Sequence, residues 1–163
     1  MIDLHRILVP TDFSLPAQHA LRYAIEFAKK FEAEILLVHV VEPPAYSFAR
    51  SGPIGESEEQ RRAYEWFDQQ LTSQARDEVP DSIPVKTALL KGPAASEISA
   101  CAQREKVDLI VMATSGRSGL TDVLLGSTAE RVLRRAPCPV MTVHQRDARG
   151  FIGPAGEEPW RDA

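Results

Sequence analysis

The sequence predicts an α/β fold, a doubly wound parallel sheet of five strands with helices on both faces. Five short apolar runs alternate with stretches whose apolar residues recur at helical spacing. The runs are nearly continuous in apolar character, which is typical of parallel strands covered on both faces. Alternation of strand and helix implies parallel pairing with right-handed crossovers. With 163 residues, 44% of them hydrophobic, the chain is long enough for one domain with a real core.

The first strand and the first helix follow from a β-rich run and a helix-start pattern. The strand is predicted at Arg6–Pro10, where a short apolar run ends in proline. Ser14 is a favourable N-cap residue, and Pro16 suits the first turn of a helix. One apolar stripe runs along this helix and consists of Ala17, Ala20, Leu21, Ala24, Phe27, Ala28 and Phe31.

The next three elements are separated by proline-containing segments. A second strand is predicted at Glu34–Val41 and a third at Val85–Lys91. Between them, residues 42–57 hold three prolines and two glycines and are predicted to form a mobile loop. Residues 58–77 are predicted to form a helix whose inner stripe is Ala63, Phe67, Leu71 and Ala75.

The last part of the chain repeats the alternation and ends in a polar segment. The predicted elements are a helix at 95–105, a strand at 107–113, a Gly/Ser/Thr-rich loop at 114–121, a helix at 122–135 that is bent or interrupted near Gly126, and a strand at 140–144. The domain therefore spans residues 1–144, and residues 145–163 are predicted to be a frayed polar tail.

Composition and charge exclude several classes of protein. With a formal net charge of −4, the chain does not have the excess of basic residues that is typical of nucleic-acid-binding proteins. The apolar runs are far shorter than the roughly 20 residues that span a bilayer, and the first residues do not have the pattern of a secretory signal. Two cysteines form neither a disulfide framework nor a metal-ligand spacing. We therefore expect a reduced, soluble, cytoplasmic protein with neither a nucleic-acid nor a membrane partner.

The chemistry expected of a ligand site lies after the first and the fourth strand. In doubly wound sheets, ligands bind beyond the carboxyl ends of the strands, where strand order reverses. Pro10, Thr11 and Asp12 follow the first strand, and the segment 113–128 (ATSGRSGLTDVLLGST) follows the fourth. The two segments meet only if these strands are neighbours.

The segment 113–128 has the composition of a phosphate-binding loop. Its glycines let backbone N–H groups approach a ligand, and the hydroxyls of Ser127 and Thr128 are available to phosphate oxygens. Arg117 adds a positive charge, and a helix that begins near the loop adds a favourable dipole. The dinucleotide fingerprint G-x-G-x-x-G and the P-loop pattern G-x-x-x-x-G-K-[ST] are both absent from the sequence.

Each candidate residue also has a purely structural interpretation. Asp12 is a candidate cap for the turn before Ser14, Ser127 is a candidate helix cap, and Arg117 is a candidate solvated charge. His39 lies in an apolar strand and is predicted to be a hydrogen-bonded core residue, and Cys101 is predicted to be a buried structural thiol. The sequence contains no recognisable catalytic triad. We therefore predict no catalytic residues, and we predict no metal site formed by protein side chains.

Four segments give the chain a family resemblance. They are residues 7–14 (ILVPTDFS), residues 37–41 (LVHVV), residues 91–93 (KGP) and residues 107–143 (VDLIVMATSGRSGLTDVLLGSTAERVLRRAPCPVMTV). Over roughly residues 3–144 the chain resembles universal stress proteins of the UspA type. The resemblance implies the strand order 3-2-1-4-5, which places strands one and four side by side.

The resemblance also implies a nucleotide site with one departure from the usual pattern. Nucleotide-binding members carry G-x2-G-x9-G-[ST], and Gly116, Gly126 and Ser127 match its later part. Ala113 occupies the position of the first glycine. Alanine is tolerated there if φ is negative, whereas a positive φ would cost on the order of 1 kcal/mol.

The roles implied by the resemblance divide the site into two ends. Pro10, Thr11 and Asp12 would line the adenine and ribose, with Asp12 accepting from a ribose hydroxyl or the base, and Val40 would offer its backbone to the adenine edge. Met112 and Ala113 would lie under the ribose and first phosphate. The phosphates would contact Gly116, Arg117, Gly126, Ser127 and Thr128. Mg²⁺ or Mn²⁺ would bridge phosphate oxygens.

Three functional hypotheses follow. The leading one is a cytoplasmic stress-response protein that binds ATP and whose nucleotide state tunes its interaction with an unknown regulated protein. The alternative is a nucleotide-free dimeric interaction module of the same fold, and a slow ATPase ranks third. Both leading hypotheses include a homodimer, because residues 140–143 would form a short apolar sheet edge and family members commonly pair this strand.

Overall fold

Five parallel strands and four helices alternate along the part of the chain that the structure describes. The structure, a computed structural model, describes residues 3–42, 58–114 and 125–144. The elements are β1 (Arg6–Pro10), α1 (Leu15–Phe31), β2 (Glu34–Val41), α2 (Glu58–Glu78), β3 (Val85–Lys91), α3 (Ala94–Arg104), β4 (Leu109–Ala113), α4 (Ser127–Arg135) and β5 (Val140–Val143). The strands form one sheet in the order β3-β2-β1-β4-β5, with every pairing parallel. The predicted fold class and strand order are confirmed.

Two hydrophobic cores lie on opposite faces of the sheet. Successive strand residues point to opposite faces, so Ile7 and Val9 of β1 pack with α1 and α2, whereas Leu8 packs with α3 and α4. All three side chains are fully buried. Burying each one contributes about 1.5–3 kcal/mol relative to an exposed position. Helices therefore cover both faces of the sheet, as predicted.

Capping defines both ends of α1. The Ser14 hydroxyl accepts a hydrogen bond from the Ala17 amide at 3.4 Å, and Pro16 lies in the first turn. At the other end Glu32 adopts a left-handed conformation with φ 56°, and the Ala33 amide donates to the Ala28 carbonyl. The predicted N-cap is confirmed.

The last helix and two strands differ from the prediction at their ends. The backbone of Gly126 is extended (φ −61°, ψ 149°) and its amide donates to the Thr114 carbonyl at 2.6 Å. Gly126 therefore lies outside the helix and α4 begins at Ser127, whereas residues 122–124 of the predicted helix lie outside the described residues. Similarly, the Val107 amide donates a hydrogen bond to the Ala102 carbonyl in the turn after α3. β4 therefore begins at Leu109 and not at the predicted residue 107. β5 ends at Val143, one residue before the predicted end.

The inner stripe predicted for α2 is correct only in its second half. Leu71 and Ala75 are buried and Phe67 is half-buried, but Ala63 is exposed and Trp66 is 50% exposed. The buried residues of α2 all lie in its C-terminal half, whereas Phe67 in the first half contacts His39 of β2 from a half-buried position. The predicted loop at 42–57, apart from its first residue, and the predicted tail lie outside the described residues. Within the described ranges, no helix combines the length and apolar character needed to cross a membrane.

Candidate functional site

A cleft of about 260 Å³ opens at the carboxyl edge of the sheet, between β1 and β4. The two strands are neighbours, and chain connections leave them in opposite directions, so the cleft lies at the reversal of strand order. Its described lining consists of Pro10, Thr11, Asp12, Ala17, His39, Val40, Ala94, Ile98, Met112, Ala113, Thr114, Gly126, Ser127, Thr128 and Ala129.

Most of the residues proposed from the sequence converge on this cleft. Nine of the eleven line it, namely Pro10, Thr11, Asp12, Val40, Met112, Ala113, Gly126, Ser127 and Thr128. The other two, Gly116 and Arg117, lie outside the described residues. The structure thus brings the end of β1, the end of β4 and the start of α4 together around one volume.

The turn after β1 is held by side-chain hydrogen bonds. Thr11 is 5% exposed, and its hydroxyl donates to Oε1 of Gln74 and accepts from the Phe13 amide, both at 3.0 Å. Oδ1 of Asp12 accepts from the Ser14 amide at 3.0 Å and also from the Ser14 hydroxyl. Asp12 therefore caps the turn, as the structural interpretation proposed.

His39 lines the cleft beside Val40, a position that sequence reasoning missed. Its Nδ1 lies 2.7 Å from the Thr11 carbonyl oxygen, and since a carbonyl only accepts, this nitrogen carries the proton. The ring lies 4.6 Å from Phe13 and 4.7 Å from Phe67, measured between centroids. The predicted hydrogen bond is confirmed, and a polar residue near the carboxyl end of an apolar strand was the available signal for the cleft position.

Ala113 has ordinary strand geometry. It pairs with Val143 in the β4–β5 ladder, and the described non-glycine residues with positive φ are Phe13, Glu32 and Lys106. A glycine is therefore not required at this position for conformational reasons. The alanine adds one methyl group to the cleft wall without backbone strain.

The N-terminus of α4 provides the polar end of the cleft. Gly126 is the N-cap, and no described side chain caps the helix. Ser127 is thus the first helical residue instead of the cap, and it lines the cleft with Thr128 and Ala129. The first-turn amides of a helix lack partners within it, and the helix dipole places partial positive charge there. This end of the cleft is suited to an anion such as phosphate.

The remaining titratable candidates do not point to catalysis. Cys101 is 1% exposed, and burial raises the pKa of its thiol, so the predicted structural role is confirmed. Burial likewise raises the pKa of the half-buried Cys138. Within the ranges that the structure describes, no three His, Cys, Asp or Glu side chains are grouped to hold a metal ion.

Sheet order and cleft together define a doubly wound α/β protein with a cleft at its topological switch point. Comparison of the sequence with known families is consistent with this class. Residues 4–144 match the universal stress protein family, and the chain belongs to that family.

Relatives of known sequence and structure cover most of the chain. It is 34% identical over 147 residues to universal stress protein MJ0531 of Methanocaldococcus jannaschii, which covers 85% of this chain and 81% of the relative. It is 35% identical over 138 residues to a universal stress protein of Thermus aquaticus, which covers 84% and 96%. The solved structure of MJ0577 superposes with a TM-score of 0.75 at 29% identity, covering 87% of this chain and 96% of the other.

More distant structures share the fold. A universal stress protein in complex with cAMP has a TM-score of 0.59 at 22% identity, covering 87% of this chain and 98% of the other. The universal stress protein of Archaeoglobus fulgidus in complex with dAMP has a TM-score of 0.59 at 21% identity, with the same coverage. At this identity the likeness concerns the fold alone.

Proposed function

We propose that this protein binds an adenine nucleotide in the cleft, with ATP and Mg²⁺ or Mn²⁺ as the leading candidate. The observation that carries the proposal is the convergence of the β1 turn and the uncapped start of α4 on one cleft. The first supplies a carboxylate acceptor, and the second supplies amides and hydroxyls. Its volume of about 260 Å³ is near the lower end of small-molecule sites, which begin at about 300 Å³.

The two ends of the cleft suit the two ends of a nucleotide. Asp12 and the backbone of Val40 would contact the ribose and base, while Met112 and Ala113 form an apolar wall beneath them. Phosphates would take the place of a cap at Gly126, where Ser127 and Thr128 add hydroxyls. The complexes of related folds with cAMP and dAMP make adenosine nucleotides the first ligands to test.

A divalent ion would be held mainly by the nucleotide. The described lining contains one carboxylate, Asp12, which is assigned to the nucleoside end, and the described residues hold no group of three His, Cys, Asp or Glu placed to bind a metal. Mg²⁺ usually keeps several waters and binds substrate phosphates. The ion would therefore rely on phosphate oxygens and water, and its chemistry would be to neutralise phosphate charge.

The test is thermal unfolding with and without ATP and Mg²⁺. Ligand at about a hundred times its dissociation constant adds roughly 2.7 kcal/mol, which raises Tm by about 5–10 °C for a domain of this size. Gly126→Asp places a carboxylate at the proposed phosphate position. At about 5 Å and an effective dielectric constant of about 20, the repulsion of one phosphate charge is about 3 kcal/mol. Aspartate is a favourable N-cap residue, so the ligand-free variant should fold normally.

Ser82→Asp is the matched control. Ser82 is exposed in the turn before β3, at the opposite edge of the sheet, so the variant adds the same charge away from the cleft. A rise in Tm that persists in Ser82→Asp but disappears in Gly126→Asp supports the proposal. If Tm does not rise and the denatured protein releases no co-purified nucleotide, the cleft does not bind ATP.

That negative outcome would favour the nucleotide-free interaction module. β5 occupies one edge of the described sheet and pairs only with β4 within it. Residues 140–142 are half-buried, so the strand offers a short, largely apolar edge to a second copy. We propose a homodimer through residues 140–143. Light scattering during size exclusion should give twice the monomer mass of 18.0 kDa, and a mass of 18.0 kDa would contradict it.

In the cell, we propose that this is a cytoplasmic stress-response protein. On this proposal the bound nucleotide changes which protein it contacts. A pull-down from stressed cells with wild type and Gly126→Asp tests this step. Partners recovered equally with both proteins would argue against nucleotide control.

A further inference from the structure

The Thr11–Asp12 corner of the cleft is anchored by α2, although α2 supplies none of the described lining residues. Gln74 is 8% exposed, and its Oε1 accepts the Thr11 hydroxyl hydrogen at 3.0 Å. On the other side of the same residue, His39 donates to the Thr11 carbonyl at 2.7 Å. Thr11 is therefore fixed at both its side chain and its backbone, one residue before Asp12.

The Gln74 amide is only partly satisfied. Its buried Nε2 has no hydrogen-bond partner within the described part of the chain. A buried donor without a partner is costly, whereas an apolar residue of the same shape carries no such cost. If only folding stability mattered, an apolar side chain at position 74 facing an apolar residue at position 11 would stabilise the protein as well as glutamine does, or better. The Gln74 side chain also interacts with Glu78, where it opposes the burial that raises the pKa of that carboxyl, and its hydrogen bond with Thr11 is what connects it to the cleft.

The backbone just beyond the corner needs external support. Phe13 has φ 65°, a left-handed conformation that is unfavourable for a non-glycine residue. Such geometry persists when surrounding contacts determine it. Here the Phe13 amide donates to the same Thr11 hydroxyl, and its ring lies 4.6 Å from His39 and 6.3 Å from Phe67 of α2.

We propose that Gln74 is a positioning residue for the cleft. Through the Thr11 hydroxyl it holds the Thr11–Asp12 corner in the geometry that receives the nucleoside part of the ligand. It therefore sets affinity without touching the ligand. The ligand in this inference rests on the proposed function. The anchoring of Thr11 rests on the hydrogen bonds in the structure.

The experiment is a double-mutant cycle with two readouts. The variants are Gln74→Met, which keeps size and removes the acceptor, Thr11→Val, which removes the hydroxyl, and the pair together. Val79→Ala is the control, because Val79 is 5% exposed at the end of α2 and its truncation loosens the core without touching Thr11. The readouts are the dissociation constants of adenosine and of ATP with Mg²⁺, and amide hydrogen exchange of Phe13 without ligand.

A positioning role predicts a specific pattern. Gln74→Met should weaken both ligands by about three- to tenfold, the effect of one hydrogen bond, whereas Val79→Ala should lower Tm and leave affinity unchanged. In the Thr11→Val background Gln74→Met should have less than about a twofold effect, since its target is gone. The double variant should unfold at or above the temperature of Gln74→Met alone, because both partners are then apolar.

Two results would overturn the inference. One is an unchanged affinity in Gln74→Met together with unchanged Phe13 exchange. The other is the same loss of affinity with and without the Thr11 hydroxyl, which would exclude a route through Thr11.

The ligand-free readout separates this inference from the proposed function. If wild type binds neither ligand, the proposed function fails, and exchange at Phe13 alone decides the role of Gln74. The anchoring is supported if the Phe13 amide, relative to the core amides, exchanges faster in Gln74→Met than in Val79→Ala. Equal exchange in the two variants would refute it.

Discussion

Replacing Ala113 by glycine tests whether the cleft accepts a methyl group at the end of β4. Ala113 has strand geometry and pairs with Val143, so glycine relieves no backbone strain there. Glycine in a strand costs about 0.5–1 kcal/mol relative to alanine because it loses more conformational freedom on folding. We expect Ala113→Gly to lower Tm by about 1–4 °C without ligand.

The effect on binding is limited by the size of the group removed. One methyl group corresponds to about 0.8 kcal/mol, or roughly a fourfold change in the dissociation constant. We therefore expect ATP affinity to change by no more than about fourfold in either direction. Differential scanning fluorimetry and isothermal titration calorimetry on the same preparations measure the two quantities.

Ala88→Gly is the matched control for this prediction. Ala88 is a half-buried residue of β3 that pairs with Val38 and is not among the residues of the cleft wall. It should lose the same stability and keep wild-type affinity. A higher Tm for Ala113→Gly with a lower Tm for Ala88→Gly would show that Ala113 is strained. A gain in affinity of tenfold or more would show that the methyl group blocks the ligand.

Three further predictions concern the frame around the cleft. Burial alone would raise the pKa of Glu34, but hydrogen bonds from Arg6 and Lys86 hold it below its ordinary value of 4.5. The contribution of Glu34 to the free energy of unfolding is therefore fully present above pH 4.5 and is lost as pH falls through the depressed folded-state pKa. In Glu34→Gln, the free energy of unfolding measured with urea should therefore depend less steeply on pH below pH 4.5. Ser14→Ala removes the cap of α1 and should lower the free energy of unfolding by about 1 kcal/mol and Tm by about 2–4 °C; an unchanged Tm would contradict the capping role. Cys101 should react with a thiol reagent only after denaturation, because it is buried and its pKa is raised; rapid labelling of the native protein would show that the site opens.

Partial burial explains why the inner stripe predicted for α2 was only partly correct. Its apolar residues recur at helical spacing over the whole length, but its fully buried residues lie in the second half, while Phe67 contacts His39 of β2 from a half-buried position. Ala63 and Trp66 lie beyond that contact and are exposed. Periodicity shows which face of a helix is apolar, whereas burial depends on how far the neighbouring sheet extends.

The start of α4 shows the same limit at a position that lines the cleft. Composition and spacing predicted a helix over residues 122–135 with a bend or interruption near Gly126, and in the described residues the helix runs from Ser127 to Arg135. The start at Ser127 depends on the hydrogen bond from Gly126 to Thr114, twelve residues earlier in the chain. That long-range bond places the first turn of the helix beside the end of β4, and no described side chain caps it.

The alternation of strands and helices, the cap at Ser14 and the composition of the two candidate segments were determined by the sequence itself. These properties depend on interactions between residues close in the chain. The sequence supplied the neighbouring positions of strands one and four only by family resemblance. Tertiary structure decided that pairing, the negative φ of Ala113, and the anchoring of Thr11 by His39 and Gln74. These features depend on contacts between segments that lie 28 to 103 residues apart in the chain. Many pairings of such distant segments would satisfy the same local sequence pattern, and tertiary packing selects one of them.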